Sequence, residues 1–321
     1  MNNPILYLVT PCYNESETLE YSIKIMSDKI NQLINEGLIS GQSRIVVVDD
    51  GSKDNSWSIL SEIQNHNKAI IGIKLSRNKG HQNAIMAGIE YASKYSDCSI
   101  TIDVDLQDDI NAVDEMIKKY LDGYEVVYGV RNKRETDTFF KRFTAESYYK
   151  LLMSLGCDIV YNHADFRLLG KNAMKALGEY TETNLYIRGI IPMIGYKSCE
   201  VKYDRNERTY GKSKYPLSKM LKLAWEGITS LSVKPIRILL IIGFLMLCVS
   251  AIIIIISIIQ HFTKNTIIGW TSLHCAIWGI GGINLLAIGI VGEYVAKTYL
   301  ESKHRPKYFV ERILSGDKHT D

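Results

Sequence analysis

The sequence predicts an α/β protein with a mostly parallel, doubly wound sheet, followed by a two-helix membrane anchor. Two observations predict this arrangement. Short β-branched apolar runs alternate with helix-like runs before about residue 235, and two long uncharged apolar runs come after it. Strand–helix alternation is typical of a parallel sheet with helices on both faces.

The predicted strands and helices alternate along the first 130 residues. The strands cover residues 5–10, 44–50, 69–76, 99–105 and 125–130. The helices between them cover residues 16–35, 55–65, 81–95 and 112–121. Because ligands of such sheets bind outside the carboxyl ends of the strands, the residues that follow each strand are the candidates for a functional site.

Two acidic side chains follow the fourth predicted strand. Asp103 and Asp105 are two residues apart, and carboxylates at this spacing can share one divalent cation. Mg2+ and Mn2+ prefer oxygen ligands and combine one or two carboxylates with substrate phosphates. Taken alone, the pair is more typical of a helix cap or a solvated turn than of a metal site. Charged side chains at the other strand ends favour the metal site.

The acids after the second strand have two explanations. A turn and a helix cap account for them as well as ligand binding does. We expect both, with Asp54 capping the next helix and Asp50 binding a ligand.

The two apolar runs, residues 238–259 and 267–291, each have the length that a helix needs to cross a hydrocarbon core of ~30 Å. Lys and Arg flank their outer ends, whereas the connector 260–266 carries one cation. The positive-inside rule then places both termini and the preceding domain in the cytoplasm of a multi-pass inner (plasma) membrane protein. The helical apolar stripe of residues 215–235 fits an amphipathic helix on the membrane surface, or equally a helix packed on the domain.

The chain is therefore expected to have four parts. These are a cytoplasmic α/β domain at 1–214, the amphipathic helix at 215–235, a transmembrane hairpin at 236–292 and a cytoplasmic tail at 293–321. The net charge of +3 is too small to indicate a nucleic-acid partner.

Six motifs occur in the order seen in family 2 glycosyltransferases. They occupy residues 11–15, 48–52, 77–82, 103–108, 165–168 and 211–215. The chain resembles the polyprenyl-phosphate branch of that family, which contains bactoprenol glucosyltransferases and dolichol-phosphate mannose synthases. The resemblance implies a GT-A (Rossmann-like) fold. It also implies inverting transfer of a hexose from a UDP-sugar to undecaprenyl phosphate, with glucose expected before N-acetylglucosamine or galactose.

The resemblance also implies roles for individual residues. The residues expected to bind the nucleotide-sugar are Pro11, Tyr13, Glu15, Asp50, Asp103, Gln107 and Arg131. Those expected to bind the acceptor or phosphates are Arg142, Arg208 and Lys214. Asp103 and Asp105 would hold Mg2+ or Mn2+. Catalysis would involve Asp105 and Asp165, with Asp165 acting as a base or as an orienting group. The implied partners are the UDP-sugar, the polyprenyl phosphate and the membrane, and a homo-oligomer is allowed.

Two other interpretations fit part of the sequence. Processive membrane polysaccharide synthases resemble the first half of the chain. They usually carry a Gln-x-x-Arg-Trp motif, however, and none of the four tryptophans here follows an arginine. A catalytically inactive membrane scaffold would explain the fold but not the intact acidic pairs.

Overall fold

The structure is a computed structural model that describes residues 3–132, 163–182, 186–204 and 270–316, with a few isolated positions between 236 and 252. The strands within these residues are β1 (Leu6–Cys12), β2 (Arg44–Asp49), β3 (Ile70–Leu75), β4 (Cys98–Thr101), β5 (Val126–Arg131), β6 (His163–Gly170), β7 (Ser198–Tyr203) and β8 (Val310–Leu314). The helices are α1 (Leu19–Asn35), α2 (Ser56–His66), α3 (His81–Tyr95), α4 (Ala112–Leu121), α5 (Lys171–Gly178), α6 (Ile187–Ile194) and α7 (Trp270–Ser302).

The strands form one mixed sheet in the order β7-β5-β6-β4-β1-β2-β3-β8. Strands β3, β2, β1 and β4 pair in parallel, as the sequence predicts. Strand β6 runs antiparallel between β4 and β5, and β8 runs antiparallel along β3. The α/β sheet fits the expected GT-A-like fold, although it is more mixed than predicted.

The strand order reverses between β1 and β4, because β2 and β3 follow on one side of β1 and β4 lies on the other. Such a switch point opens a crevice outside the carboxyl ends of the strands. Since β6 is antiparallel to β4, its amino end lies at this same edge. The fold therefore brings Asp165, near the start of β6, to the residues that follow β4.

Both faces of the sheet are buried. Alternate residues of β1 point to opposite sides, so Leu6 and Leu8 pack with α1 and α4 while Tyr7 and Val9 pack with α3. Burial on both faces explains why these strands are continuous apolar runs rather than alternating ones. The two apolar layers hold together the strands at whose carboxyl ends the crevice opens.

The predicted membrane anchor requires correction. A spanning helix needs about 20 predominantly apolar residues. Helix α7 (Trp270–Ser302) contains most of the second apolar run. Within the described ranges, no helix combines the length and apolar character needed to cross a bilayer. The prediction of two transmembrane helices is therefore wrong. The predicted multi-pass inner-membrane location, which depended on those helices, is wrong as well.

Two other predicted membrane segments cannot be compared with the structure. The first apolar run, 238–259, lies almost entirely outside the described residues, and the amphipathic helix at 215–235 lies outside them as well.

The segment after α7 returns to the sheet. Strand β8 pairs with β3, and the backbone N–H of Ser76 donates to the carbonyl of Phe309 at 2.9 Å. The Tyr308 hydroxyl donates to the carboxylate of Glu90 on α3. Part of the predicted tail 293–321 is thus built into the sheet, where it covers the edge strand β3.

We expect Tyr308→Phe to lower the free energy of unfolding by about 1.5–3 kcal/mol, because a hydrogen bond to a charged group is lost. Urea denaturation followed by circular dichroism would measure this change. Tyr299→Phe is the matched control, since Tyr299 is exposed on α7 and should leave stability unchanged. Equal stability of the Tyr308 variant and the control would contradict the anchoring role.

Candidate active site

A cavity of about 540 Å³ opens at the carboxyl edge of the sheet, over β1 and β4. Its size falls in the range of small-molecule sites. The residues that line it are Pro11, Cys12, Tyr13, Glu15, Asp50, Asn78, Gly80, His81, Gln82, Ala84, Asp103, Val104, Asp105, Arg131, Asp165, Tyr186 and Arg188. The structure therefore brings together most of the residues that the sequence singled out.

The wall after β1 carries the first motif. Pro11, Tyr13 and Glu15 all line the cavity, and Tyr13 is 41% exposed. The carboxylate of Glu15 accepts a hydrogen bond from the Thr18 hydroxyl at 2.9 Å, which fixes its direction. An exposed aromatic ring beside a fixed carboxylate can stack on a planar ring and accept hydrogen bonds from its edge.

Asp50 holds the loop that follows β3. Its two carboxylate oxygens accept the backbone N–H groups of Lys79 at 2.7 Å and Gly80 at 2.8 Å. Burial raises the pKa of Asp50, and these two donors act in the opposite direction. Asp50 therefore shapes the cavity wall as well as lining it. The neighbouring Asp54 accepts the backbone N–H of Ser56, the first residue of α2, at 3.0 Å, but the N-cap position is Asn55, one residue later than predicted.

Gly51 permits a close backbone approach between the second and third strand ends. Its φ is +68°, and a Cβ there would lie 2.6 Å from the carbonyl carbon of Arg77 and the nitrogen of Asn78. Both contacts are with backbone, which cannot rotate away. Any side chain at residue 51 would therefore displace the loop that Asp50 holds.

We expect Gly51→Ala to destabilise the protein by about 2–4 kcal/mol, from left-handed backbone strain together with overpacking. Gly123→Ala is a matched control, because Gly123 has φ +85° with nothing within 4 Å of its Cβ position. Chemical denaturation of both variants would separate the stability lost through the steric clash at residue 51 from the stability lost through left-handed backbone strain, which both variants share. Equal losses of stability in the two variants would show that the close backbone approach at residue 51 does not add to the cost of the substitution.

Asp103 and Asp105 lie in the turn that follows β4, and both line the cavity. Burial raises the pKa of Asp103 to about 6, against the opposing charge of His81. A backbone N–H, that of Gln107, donates to Asp105 at 3.3 Å. Leu106, between Asp105 and Gln107, has φ +47°. This left-handed backbone conformation is costly for a leucine. Gln107 itself is buried beside this turn.

The donor set suits a hard divalent cation in part. Among the residues that the structure describes, no three His, Cys, Asp or Glu side chains are arranged to hold a metal. Asp103 and Asp105 supply carboxylate oxygens at the cavity wall, which are the ligands that hard divalent cations prefer. The pair fits Mg2+ or Mn2+ when a phosphate and water supply further ligands.

Asp165 is held from several sides. Arg188 donates to both its carboxylate oxygens, with Nε at 3.1 Å from Oδ1 and a terminal nitrogen at 2.8 Å from Oδ2. The buried Arg167 also donates to Oδ1, and the Thr101 hydroxyl donates to the Asp165 carbonyl. Although burial alone would raise it, the charges of Arg188 and Arg167 and the nearby imidazole of His81 hold the pKa of Asp165 well below its usual range. A carboxylate this weakly basic is a poor proton acceptor and a good fixed anion.

His81 lies between the two acidic positions. Its Nε2 is 3.6 Å from a carboxylate oxygen of Asp103 and 3.6 Å from one of Asp165. Burial would lower the pKa of His81, but the neighbouring carboxylates of Asp165 and Asp103 raise it. The imidazole therefore links the acidic turn after β4 with the start of β6.

Arg131 reaches the cavity from the end of β5. Its guanidinium donates to Asp108 at 3.0 Å and to the Tyr203 hydroxyl at 3.2 Å, which fixes its position. The other predicted phosphate ligands, Arg142, Arg208 and Lys214, lie outside the described residues.

Sequence reasoning missed Tyr186 and Arg188 and gave His81 no role. Arg188 is a lone cation near the start of the otherwise apolar helix α6. A single charge within an apolar helical run was the available signal. Nothing in the spacing, however, connects it with Asp165 in the preceding strand.

A crevice at the switch point of a doubly wound sheet, lined by paired acids and fixed arginines, is typical of α/β enzymes, which bind their ligands outside the strand ends. Comparison of the sequence with family models agrees with this class. The model described as "Glycosyl transferase family 2" matches residues 7–178, and the chain belongs to that family of glycosyltransferases.

Relatives match nearly the whole chain. "Uncharacterized glycosyltransferase YkoT" of Bacillus subtilis (strain 168) is 48% identical, covering 99% of this chain and 94% of the relative. "Prophage bactoprenol glucosyl transferase homolog" of Escherichia coli (strain K12) is 36% identical, covering 95% and 98%. "Bactoprenol glucosyl transferase" of Shigella phage SfV is also 36% identical, covering 95% and 97%. The predicted resemblance to family 2 glycosyltransferases is confirmed, and so is the prediction of an enzyme.

Proposed function

We propose that this glycosyltransferase moves a hexose, glucose first, from a UDP-sugar to a polyprenyl phosphate with inversion at the anomeric carbon. The observation that carries the proposal is the cavity that Asp103, Asp105 and Asp165 line together with Tyr13 and Asp50. Similarity over nearly full length to proteins named bactoprenol glucosyl transferases supports the sugar and the lipid phosphate.

In the proposed reaction an oxygen of the lipid phosphate attacks the anomeric carbon, and the bond from that carbon to the UDP oxygen breaks. UDP leaves with the bonding electron pair. Mg2+ or Mn2+, when bound by Asp103 and Asp105, would offset the charge of the leaving diphosphate. Tyr13 would stack on the uracil, while Pro11, Glu15 and Asp50 form the wall around the nucleoside.

In this scheme Asp165 orients the acceptor and stabilises positive charge on the sugar, and it does not take a proton. A phosphate acceptor is largely ionised near neutral pH, so the reaction releases no proton that needs a strong base. The two arginines keep Asp165 charged, and a fixed anion beside the anomeric carbon stabilises positive charge that develops on the sugar.

A donor panel with mass analysis of the lipid product tests this proposal. UDP-glucose, UDP-N-acetylglucosamine, UDP-galactose and GDP-mannose would each be offered with Mn2+ and a short polyprenyl phosphate, with the unphosphorylated polyprenol as control acceptor. We expect one hexose added to the phosphate from UDP-glucose and none to the alcohol. Products that carry sugar chains, or activity only with GDP-mannose, would overturn the proposal.

A further inference from the structure

Arg188 makes a two-point contact with the carboxylate of Asp165. The Nε–Oδ1 distance is 3.1 Å and the second nitrogen lies 2.8 Å from Oδ2, so both oxygens are engaged. A paired contact of this kind fixes the plane of a carboxylate, which a single hydrogen bond does not. Arg188 lies beyond residue 178, where the match to the family model ends.

The position of Arg188 is set by a different part of the fold. The backbone N–H of Ile187, the first residue of α6, donates to the side-chain oxygen of Gln82 at 3.0 Å. Gln82 is in the first turn of α3, directly after His81, which also contacts Asp165. The side chain of Gln82 therefore ties the start of α6 to the start of α3.

The two arginines on Asp165 have different surroundings. The side chain of Arg167 is 2% exposed, whereas that of Arg188 is 32% exposed and lines the cavity. Arg167 therefore compensates the charge of Asp165 from within the protein. Arg188 is the partner whose movement would turn the carboxylate relative to a bound substrate.

We propose that Arg188 is a positioning residue for sugar transfer, which it supports by holding Asp165 in one orientation, and that Gln82 sets the place from which it does so. The inference rests on the proposed function, in which Asp165 faces the reacting carbon. The competing explanation is direct binding of the donor diphosphate by Arg188. The two explanations differ in whether the effect of Arg188 depends on Asp165.

A double-mutant cycle separates them. The variants are Arg188→Gln, Asp165→Asn and the pair, each assayed for kcat and for the KM of the UDP-sugar. We expect Arg188→Gln to lower kcat about 100-fold, the scale on which a small misplacement acts, while the donor KM stays within about twofold. In the Asp165→Asn background the same change should cause little further loss. A raised donor KM, or losses that multiply in the pair, would overturn the inference.

Three further variants complete the test. Gln82→Met removes the acceptor for Ile187 and should also lower kcat without further loss in the Asp165→Asn background; unchanged kcat would remove Gln82 from the account. Arg188→Lys keeps the charge but not the paired contact, and it should restore only part of kcat. Arg44→Gln, at the opposite end of β2, is the matched arginine control and should match wild type.

Folding of the variants and the proposed function of the wild type are tested by separate measurements. Thermal unfolding of each variant shows whether it folds, and if Arg188→Gln does not, Arg188→Lys and Gln82→Met carry the same comparison. Absence of lipid-linked sugar with the wild-type chain counts against the proposed function. If the wild type transfers sugar but the kcat losses of the two single variants multiply in the double variant, the result counts against the inference alone.

Discussion

Asp103→Asn and Asp105→Asn are each expected to lower the rate of sugar transfer by roughly a thousandfold, which corresponds to about 4 kcal/mol of lost transition-state stabilisation. The two carboxylates line the cavity in the turn after β4. Asparagine keeps their shape but removes the charge that would hold a divalent cation against the diphosphate. Initial rates of UDP release with Mn2+ and polyprenyl phosphate measure the effect.

The control for these variants lies in the same loop. Asp109 accepts the backbone N–H of Asn111 at 3.0 Å and does not line the cavity. Asp109→Asn keeps an acceptor oxygen in place, so its turnover should match wild type. Wild-type turnover in the Asp103 and Asp105 variants would remove both residues from the active site.

Asp165→Asn is expected to lower kcat about 100-fold or more and also to destabilise the fold by about 3–5 kcal/mol. The kinetic loss follows from removal of the fixed anion beside the reacting carbon. The loss of stability follows because Arg167 is buried and would keep its charge without its carboxylate partner. Steady-state kinetics and chemical denaturation would be measured on the same preparation.

A second ion pair provides a control that distinguishes an effect on catalysis from an effect on stability. Lys29 is 5% exposed and pairs with Asp114 at 3.1 Å between α1 and α4, away from the cavity. Asp114→Asn should therefore lower stability while leaving kcat per folded molecule unchanged. If Asp165→Asn retains full kcat, Asp165 has no essential part in transfer.

The pH dependence distinguishes the two roles considered for Asp165. Its pKa in the folded protein is held well below the usual range, so the stability from its ion pairs is present above the unfolded value of about 4 and is lost only as the pH falls further. An orienting carboxylate of this kind adds no ionisation to kcat near neutrality. A base that titrated there would require a much higher pKa.

Local pattern was sufficient for the core of the fold. The first five strands and four helices were predicted to within a few residues, because apolar runs and helical periodicity are properties of neighbouring residues. The parallel order of β1 to β4 followed from their alternation with helices. The strand ends at Asp50, Asp103 and Arg131 then gave much of the cavity wall.

Non-local pairing accounts for what the sequence did not predict. Strand β6 enters between β4 and β5, and β8 joins β3 from the far end of the chain. Neither insertion leaves a local signal, so the sheet is more mixed than expected. The contact of Arg188 with Asp165 depends on β6 and α6 meeting at one edge, which no spacing in the chain expresses.

The membrane prediction failed for a different reason. It counted uncharged residues along 238–259 and 267–291 and took their length as sufficient. None of the helices in the described part of the chain meets the requirement for crossing a bilayer.

Calorimetric titration of the protein with UDP is the most direct test of the account, which holds that Asp103 and Asp105 bind the donor diphosphate through a divalent cation. We predict binding with Mn2+ that is lost when EDTA replaces the metal, and lost equally in a folded Asp105→Asn variant. UDP binding of equal strength with and without metal, or unchanged in that variant, would contradict the account.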